Sequence, residues 1–134
     1  EIGMNGLLIV DDEEGIRVSV QTALRREGYR FLMAEDGRSA VDIVKGDPAA
    51  VAVVISDYKM PGMDGLETLG AIGNVNPEIC RIMLTGYATL ESAIQATNEG
   101  IDGFLTKPFE ESELLEVVRR VLSGRSTAEQ ERQS

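Results

Sequence analysis

The stretch Val51-Ala52-Val53-Val54-Ile55-Ser56-Asp57-Tyr58-Lys59-Met60-Pro61-Gly62-Met63-Asp64-Gly65 decides how the rest of the chain is read. An apolar, largely β-branched run ends abruptly at Asp57. A turn carrying Pro61 and Gly62 follows. Asp64 then opens a helical pattern, with Glu67 three residues on in the manner of a capping box. Such a run reads as a strand buried on both faces, as in a parallel sheet. Asp57 is then a carboxylate at the carboxyl end of a central strand, where open α/β sheets place their ligand crevice.

Working outward, the same unit recurs. Gly6 to Val10 is a short apolar strand ending in Asp11-Asp12, and a helix follows with Ile16, Val20, Ala23 and Leu24 at helical spacing. Tyr29 to Ala34 reads as the second strand, and Asp36-Gly37 turns into a helix carrying Ala40, Val41 and Val44. Ile79 to Leu84 is the fourth strand, ending in Thr85-Gly86, with a helix over about 89–98 behind it. Ile101 to Thr106 is the fifth, ending in Lys107-Pro108, and a last helix runs from about Glu111 to Leu122 before Gly124. Strand–helix alternation of this kind predicts an α/β domain with a parallel sheet and helices on both faces. For five strands the flavodoxin-like order 2-1-3-4-5 fits, and its switch point lies between strands one and three. Those are the strands that end in Asp11-Asp12 and Asp57.

Bulk properties narrow the chemistry. The 134 residues suit one domain, placed at 5–123, with a polar tail or linker stub at 124–134. A net charge of −10 argues against direct nucleic-acid binding, which needs a basic patch. No apolar run approaches the roughly 18 residues of a membrane span. The one cysteine, Cys80, can form no internal disulfide, consistent with a reducing, cytoplasmic setting. Histidine is absent, which removes imidazole bases and His-containing metal sites. Whatever the protein does is done with carboxylates, a lysine and hydroxyls.

Three carboxylates converging at a switch point repel one another unless a cation sits among them. All-oxygen donors suit a hard divalent ion such as Mg²⁺ or Mn²⁺. Asp12 and Asp57 are the expected direct ligands, with Asp11 acting through water. Across the same edge, the Thr85 hydroxyl and Lys107 ammonium make a clamp for a phosphoryl group, and the Gly86 N–H adds a donor. Asp57 is then a nucleophile that forms an aspartyl phosphate. Each piece has a plain reading alone: Asp57 and Thr85 as turn residues, Lys107 as an exposed lysine, Glu13 and Glu14 as favourable charges at a helix start. Their joint placement after strands one, three, four and five is what makes the pattern specific.

The matching set is Asp11-Asp12, Asp57 with Met60-Pro61 and Asp64-Gly65, Thr85-Gly86, and Lys107-Pro108-Phe109. In these residues, and from about Asn5 to Ser123, the chain resembles the receiver domains of two-component response regulators. The resemblance implies that Asp57 accepts phosphate from a histidine kinase with Mg²⁺, and that the acyl phosphate later hydrolyses; the domain is not otherwise an enzyme. It further implies a switch, in which Thr85 moves toward the phosphoryl group. Phe104 then changes rotamer and remodels the face formed by the fourth helix, fifth strand and fifth helix. Phenylalanine there lacks the hydroxyl of the tyrosine often found in the family; core packing is its plain alternative. Lys59 and Tyr87 stand where family members set the lifetime of the phosphate, and the Lys59 carbonyl is expected to face the metal. The implied partners are a histidine kinase and an output domain or separate effector, with a phosphorylation-dependent homodimer as a further state.

Two other classes compete. A phosphohydrolase with an aspartate nucleophile needs a cap over its substrate, and the loops here are short. An interaction domain that no longer takes phosphate would be expected to have lost Asp12, Asp57, Thr85 or Lys107. Twelve residues follow Leu122, too few for a DNA-binding or catalytic domain. Two readings stand, a stand-alone receiver working by protein contact or a piece of a longer regulator or hybrid kinase, and the polar tail, which resembles the start of a linker, favours the second.

Overall fold

The computed structural model describes residues 5–86, 95 and 98–133, with residues 125–133 as backbone only. Five parallel strands form one sheet in the order β2-β1-β3-β4-β5. They are β1 (Gly6–Val10), β2 (Arg30–Ala34), β3 (Val51–Asp57), β4 (Cys80–Thr85) and β5 (Gly103–Thr106). The predicted fold class and strand order are those observed. Helices α1 (Glu14–Leu24), α2 (Gly37–Gly46) and α3 (Gly65–Val75) and a C-terminal helix (Glu111–Gln133) cover the sheet.

Period-two alternation along the central strands supplies both cores. Leu7, Ile9, Val53, Ile55, Ile82 and Leu84 point to one side, where α1 and the C-terminal helix pack. Leu8, Val10, Val54 and Met83 point to the other, beneath α2 and α3. A strand buried on both faces has no room for polar side chains except at its end. That is why an unbroken apolar run followed by a carboxylate is readable as a site.

Capping chemistry sets the helix starts. Asp36 accepts from Ser39 N at 2.8 Å and begins α2. Asp64 accepts from Glu67 N at 2.8 Å while Glu67 accepts from Asp64 N at 3.0 Å, so both halves of the capping box are made. Asp64→Ala is expected to lower the stability by about 1 kcal/mol, read in urea unfolding.

One boundary differs from the sequence reading. The last helix does not stop at Leu122 but runs through Gly124 to Gln133. A single glycine costs an α-helix only about 1 kcal/mol relative to alanine, and the residues after it (Ala128, Glu129, Gln130, Glu131 and Arg132) are good helix formers. The helix read over 89–98 lies mostly outside the described residues. Gln95, whose carbonyl accepts from Glu99 N at 3.0 Å, carries its only described hydrogen bond.

Candidate functional site

Strand register brings the site residues to one level. Val10 pairs with Ser56, so Asp11 and Asp57 each continue a neighbouring strand by one step. Asp57 in turn lies opposite Leu84, and Thr85 opposite Thr106, which puts Lys107 just beyond the end of β5. Lys107 N donates to Thr85 O at 2.8 Å and locks the last two strand ends together. The Lys107–Pro108 peptide bond is cis.

Lys107 Nζ stands 3.0 Å from Asp11 Oδ2 and 3.0 Å from Asp57 Oδ1. Both carboxylates are buried, at 1 % and 7 % residue exposure. Asp11 is pinned further: its Oδ1 accepts from Glu13 N at 2.9 Å, and its main-chain oxygen accepts from Arg17 Nη1 at 2.6 Å. Asp12 is exposed. Ligand atoms from Asp11, Asp12 and Asp57 lie within 4.8 Å of one another. Three oxygen donors at that spacing could hold a hard divalent cation, and this donor set excludes the soft metals that need thiolate or imidazole. Lys107 already engages Asp11 and Asp57, which leaves the exposed Asp12 as the carboxylate outside the ion-pair network.

The charge balance is set by two acids sharing one ammonium. Burial pushes the Asp57 carboxyl above its ordinary value; the Lys107 hydrogen bond works against that, and the Asp11 charge adds to it. Burial by itself would lower the pKa of Lys107. The hydrogen bonds to Asp11 and Asp57 outweigh it and hold the ammonium above the usual lysine value. The site is therefore poised for a further cation or for a group that takes over Lys107.

Thr85 is buried at the end of β4, and Gly86 is exposed beside it. Lys59 is exposed on the loop that leaves β3, while the next residue, Met60, is buried and anchors that loop to the core. Phe104 is half-buried on β5, against the core beneath α2 and α3. Tyr87 lies outside the described residues. The structure thus brings together Asp11, Asp12, Asp57 and Lys107, and it sets Thr85 and Gly86 at the same edge.

Three contributors near the site have no individual role assigned by the sequence reading. Arg17, a polar residue on α1, returns to the Asp11 carbonyl. Ser56 has a fully buried hydroxyl that donates to Asp57 O at 3.0 Å. Gly65 packs directly on the main chain of Asp57 and Tyr58. The available signal for Ser56 was a hydroxyl at the end of an otherwise apolar strand.

A parallel five-stranded sheet in this order, with a carboxylate cluster and a lysine at its switch point, defines a doubly wound α/β domain with an acidic site at its carboxyl edge. Comparison with known proteins sharpens that. Residues 7–119 match the family described as response regulator receiver domain. The chain is 33% identical over 120 residues to sporulation initiation phosphotransferase F of Bacillus subtilis, covering 90% of this chain and 95% of that protein. It is 31% identical over 125 residues to the response regulator protein FleR of Pseudomonas aeruginosa, covering 93% of this chain but 26% of FleR. A crystal structure of a response regulator receiver domain protein from Clostridium thermocellum superposes with a TM-score of 0.84 at 28% identity, covering 93% of this chain and 99% of that one. The chain belongs to the response regulator receiver domain family, a family of signalling domains. It spans about a quarter of the length of FleR and similar curated relatives. Among the described residues, no helix is long and apolar enough to cross a membrane.

Proposed function

We propose that this chain is a phosphoacceptor receiver domain, comprising residues 5–123, in which Asp57 takes a phosphoryl group from the phosphohistidine of a histidine kinase. The observation that carries this reading is the buried Asp57 carboxylate, held by Lys107 at 3.0 Å at the strand end beside two further aspartates. A side-chain oxygen of Asp57 attacks phosphorus. The P–N bond to the donor imidazole breaks, its electron pair stays on the ring nitrogen, and an aspartyl phosphate results.

Asp11, Asp12 and Asp57, with the Lys59 carbonyl, are the residues that would hold Mg²⁺ or Mn²⁺. When bound, the ion would offset the carboxylates' repulsion of an incoming anionic phosphoryl group. Lys107 can pass from Asp57 to a phosphoryl oxygen with little movement, since the ammonium is already at the acceptor. Thr85 and the Gly86 N–H supply neutral donors on the opposite side. Lys59 and Tyr87 control access of the water that hydrolyses the acyl phosphate.

The output follows from what the phosphoryl group adds: negative charge and acceptor oxygens that a moved Thr85 satisfies. Phe104 then repacks, and the face around β5 and the C-terminal helix changes shape for an output domain, an effector or a second copy. The domain performs its own phosphoryl transfer and autodephosphorylation and works in the cytoplasm. It makes no direct contact with nucleic acid.

Intact mass after incubation with Mg²⁺ and acetyl phosphate tests this. One phosphate adduct is expected on the wild type, none on Asp57→Asn, and none once Mg²⁺ is chelated. An adduct that persists in Asp57→Asn would move the acceptor elsewhere.

A further inference from the structure

Two contacts that sequence reading passed over converge on one atom, the main-chain oxygen of Asp57. Ser56, at 0 % exposure, donates its hydroxyl to that oxygen at 3.0 Å. From the α3 side, Gly65 closes on the same oxygen. A methyl group in place of its Cα hydrogen would overlap Asp57 O, 2.8 Å from Tyr58 Cα and 2.9 Å from Asp57 C. All three of those atoms are main chain, so no side-chain rotation relieves the overlap. Gly65 N also donates to Tyr58 O at 2.7 Å, which closes the loop 58–65 at its base.

We propose that Ser56 and Gly65 are positioning residues for the phosphoacceptor: together they fix the peptide plane between Asp57 and Tyr58. That plane sets the direction from which the Asp57 side chain leaves the strand. It also sets the start of the loop that carries Lys59. The inference rests on the phosphoacceptor reading of Asp57 and deepens it.

The chemistry explains why such a fixture matters. Phosphoryl transfer asks the acceptor oxygen to lie in line with the leaving group, and catalysis is almost entirely a matter of placement and charge. A buried carboxylate under mixed forces, pulled by Lys107 and repelled by Asp11, drifts unless its main chain is held. Neither residue offers a group to a donor: the Ser56 hydroxyl is buried and engaged with Asp57 O, and Gly65 has no side chain. Their effect passes through Asp57 alone.

The test is the rate of labelling by acetyl phosphate at saturating Mg²⁺, followed by intact mass, alongside thermal unfolding of each variant. Ser56→Ala is expected to label about 3- to 10-fold more slowly, an effect typical of slight misplacement, with the half-saturating acetyl phosphate concentration unchanged. Ser56→Thr, which keeps the hydroxyl, is expected to restore the rate. Gly65→Ala is expected to lose more, and Ser56→Ala carries the test if that variant does not fold. Gly73→Ala is the control: the same change in the same helix, remote from Asp57, expected to alter melting and leave the labelling rate intact. Wild-type labelling by Ser56→Ala, or a loss that follows the melting temperature equally in Gly73→Ala, would overturn the positioning role. No adduct on the wild type would instead overturn the phosphoacceptor reading beneath it.

Discussion

Lys107→Met is expected to destabilise the cation-free domain by about 2–3 kcal/mol at neutral pH, while Asp57→Asn stabilises it. Removing one partner of a buried ion pair typically costs about 3–5 kcal/mol, because a charge is left stranded. Here the lysine side chain retains 17% exposure, so solvent reaches the gap and the cost falls to the bottom of that range or below it. The stranded groups would be Asp11 and Asp57, like charges at one site. Asp57→Asn does the reverse, since it removes one of two acids that share a single ammonium. A millimolar divalent cation should restore much of what Lys107→Met loses, because a ligand at 100 times its Kd adds about 2.7 kcal/mol. Urea unfolding with and without Mg²⁺ reads both effects, and a stabilised Lys107→Met would show that the ammonium is not what holds the acids.

The pH dependence of the two variants also differs in sign. Asp57 has a folded pKa above the ordinary aspartate value of 3.8, so the folded state binds its proton more readily than the unfolded chain. Its ionisation therefore works against folding above the folded pKa, and that penalty vanishes below the unfolded value. The advantage of Asp57→Asn should shrink accordingly as the pH falls. Lys107 is raised from 10.5, so its contribution is complete below that value and disappears as the pH climbs through the folded pKa. Wild type and Lys107→Met should converge in strongly alkaline solution.

How much of this was legible depended on whether a residue's role is local. Val51–Asp57, the Asp64–Glu67 capping box and the strand-end Asp11, Thr85 and Lys107 are set by patterns within a few residues. Those could be read directly, and the sheet order followed from the spacing of the units. Gly65 was quoted only as part of a motif, because a glycine needed for close approach looks the same in sequence as one needed for a turn. Gly62, with φ +79°, is a turn glycine of the usual kind; Gly65 is a packing glycine. Gly124, which in sequence looks like a helix stop, is helical. Arg17 could not be read at all, since its partner is a carbonyl that folding brings to it.

Arg81 is the fullest case of that kind, and replacing it is expected to produce the largest loss of stability away from the site. It stands in β4, inside an otherwise largely apolar segment, and is buried. Nη1 donates to Leu69 O of α3 at 2.9 Å, and Nη2 donates to Gly100 O at 3.0 Å. Its main chain exchanges bonds with Asp102: Arg81 N donates to Asp102 Oδ2 at 2.9 Å, and Asp102 N donates to Arg81 O at 2.8 Å. One residue thus ties α3, β4 and the entry to β5 together. Arg81→Ala leaves a void and strips charge-assisted bonds from two carbonyls, for a cost of about 3–4 kcal/mol. That is a large share of the roughly 5–15 kcal/mol of a typical domain.

Space for the guanidinium comes from Gly73. A methyl group there would overlap Arg81 Nη1 and lie 2.5 Å from Cζ. The head group is held by two carbonyls and cannot swing aside without losing them. Gly73→Ala should therefore destabilise the wild type by about 1–2 kcal/mol, the overpacking cost exceeding the gain in helix propensity. In the Arg81→Ala background the clash is gone and only the propensity gain remains. The same substitution should there stabilise by about 0.5–1 kcal/mol. Such a reversal of sign in a double-mutant cycle, read by urea unfolding, can arise only if the two side chains compete for one space. Equal effects in both backgrounds would mean that Gly73 serves the helix and not the arginine.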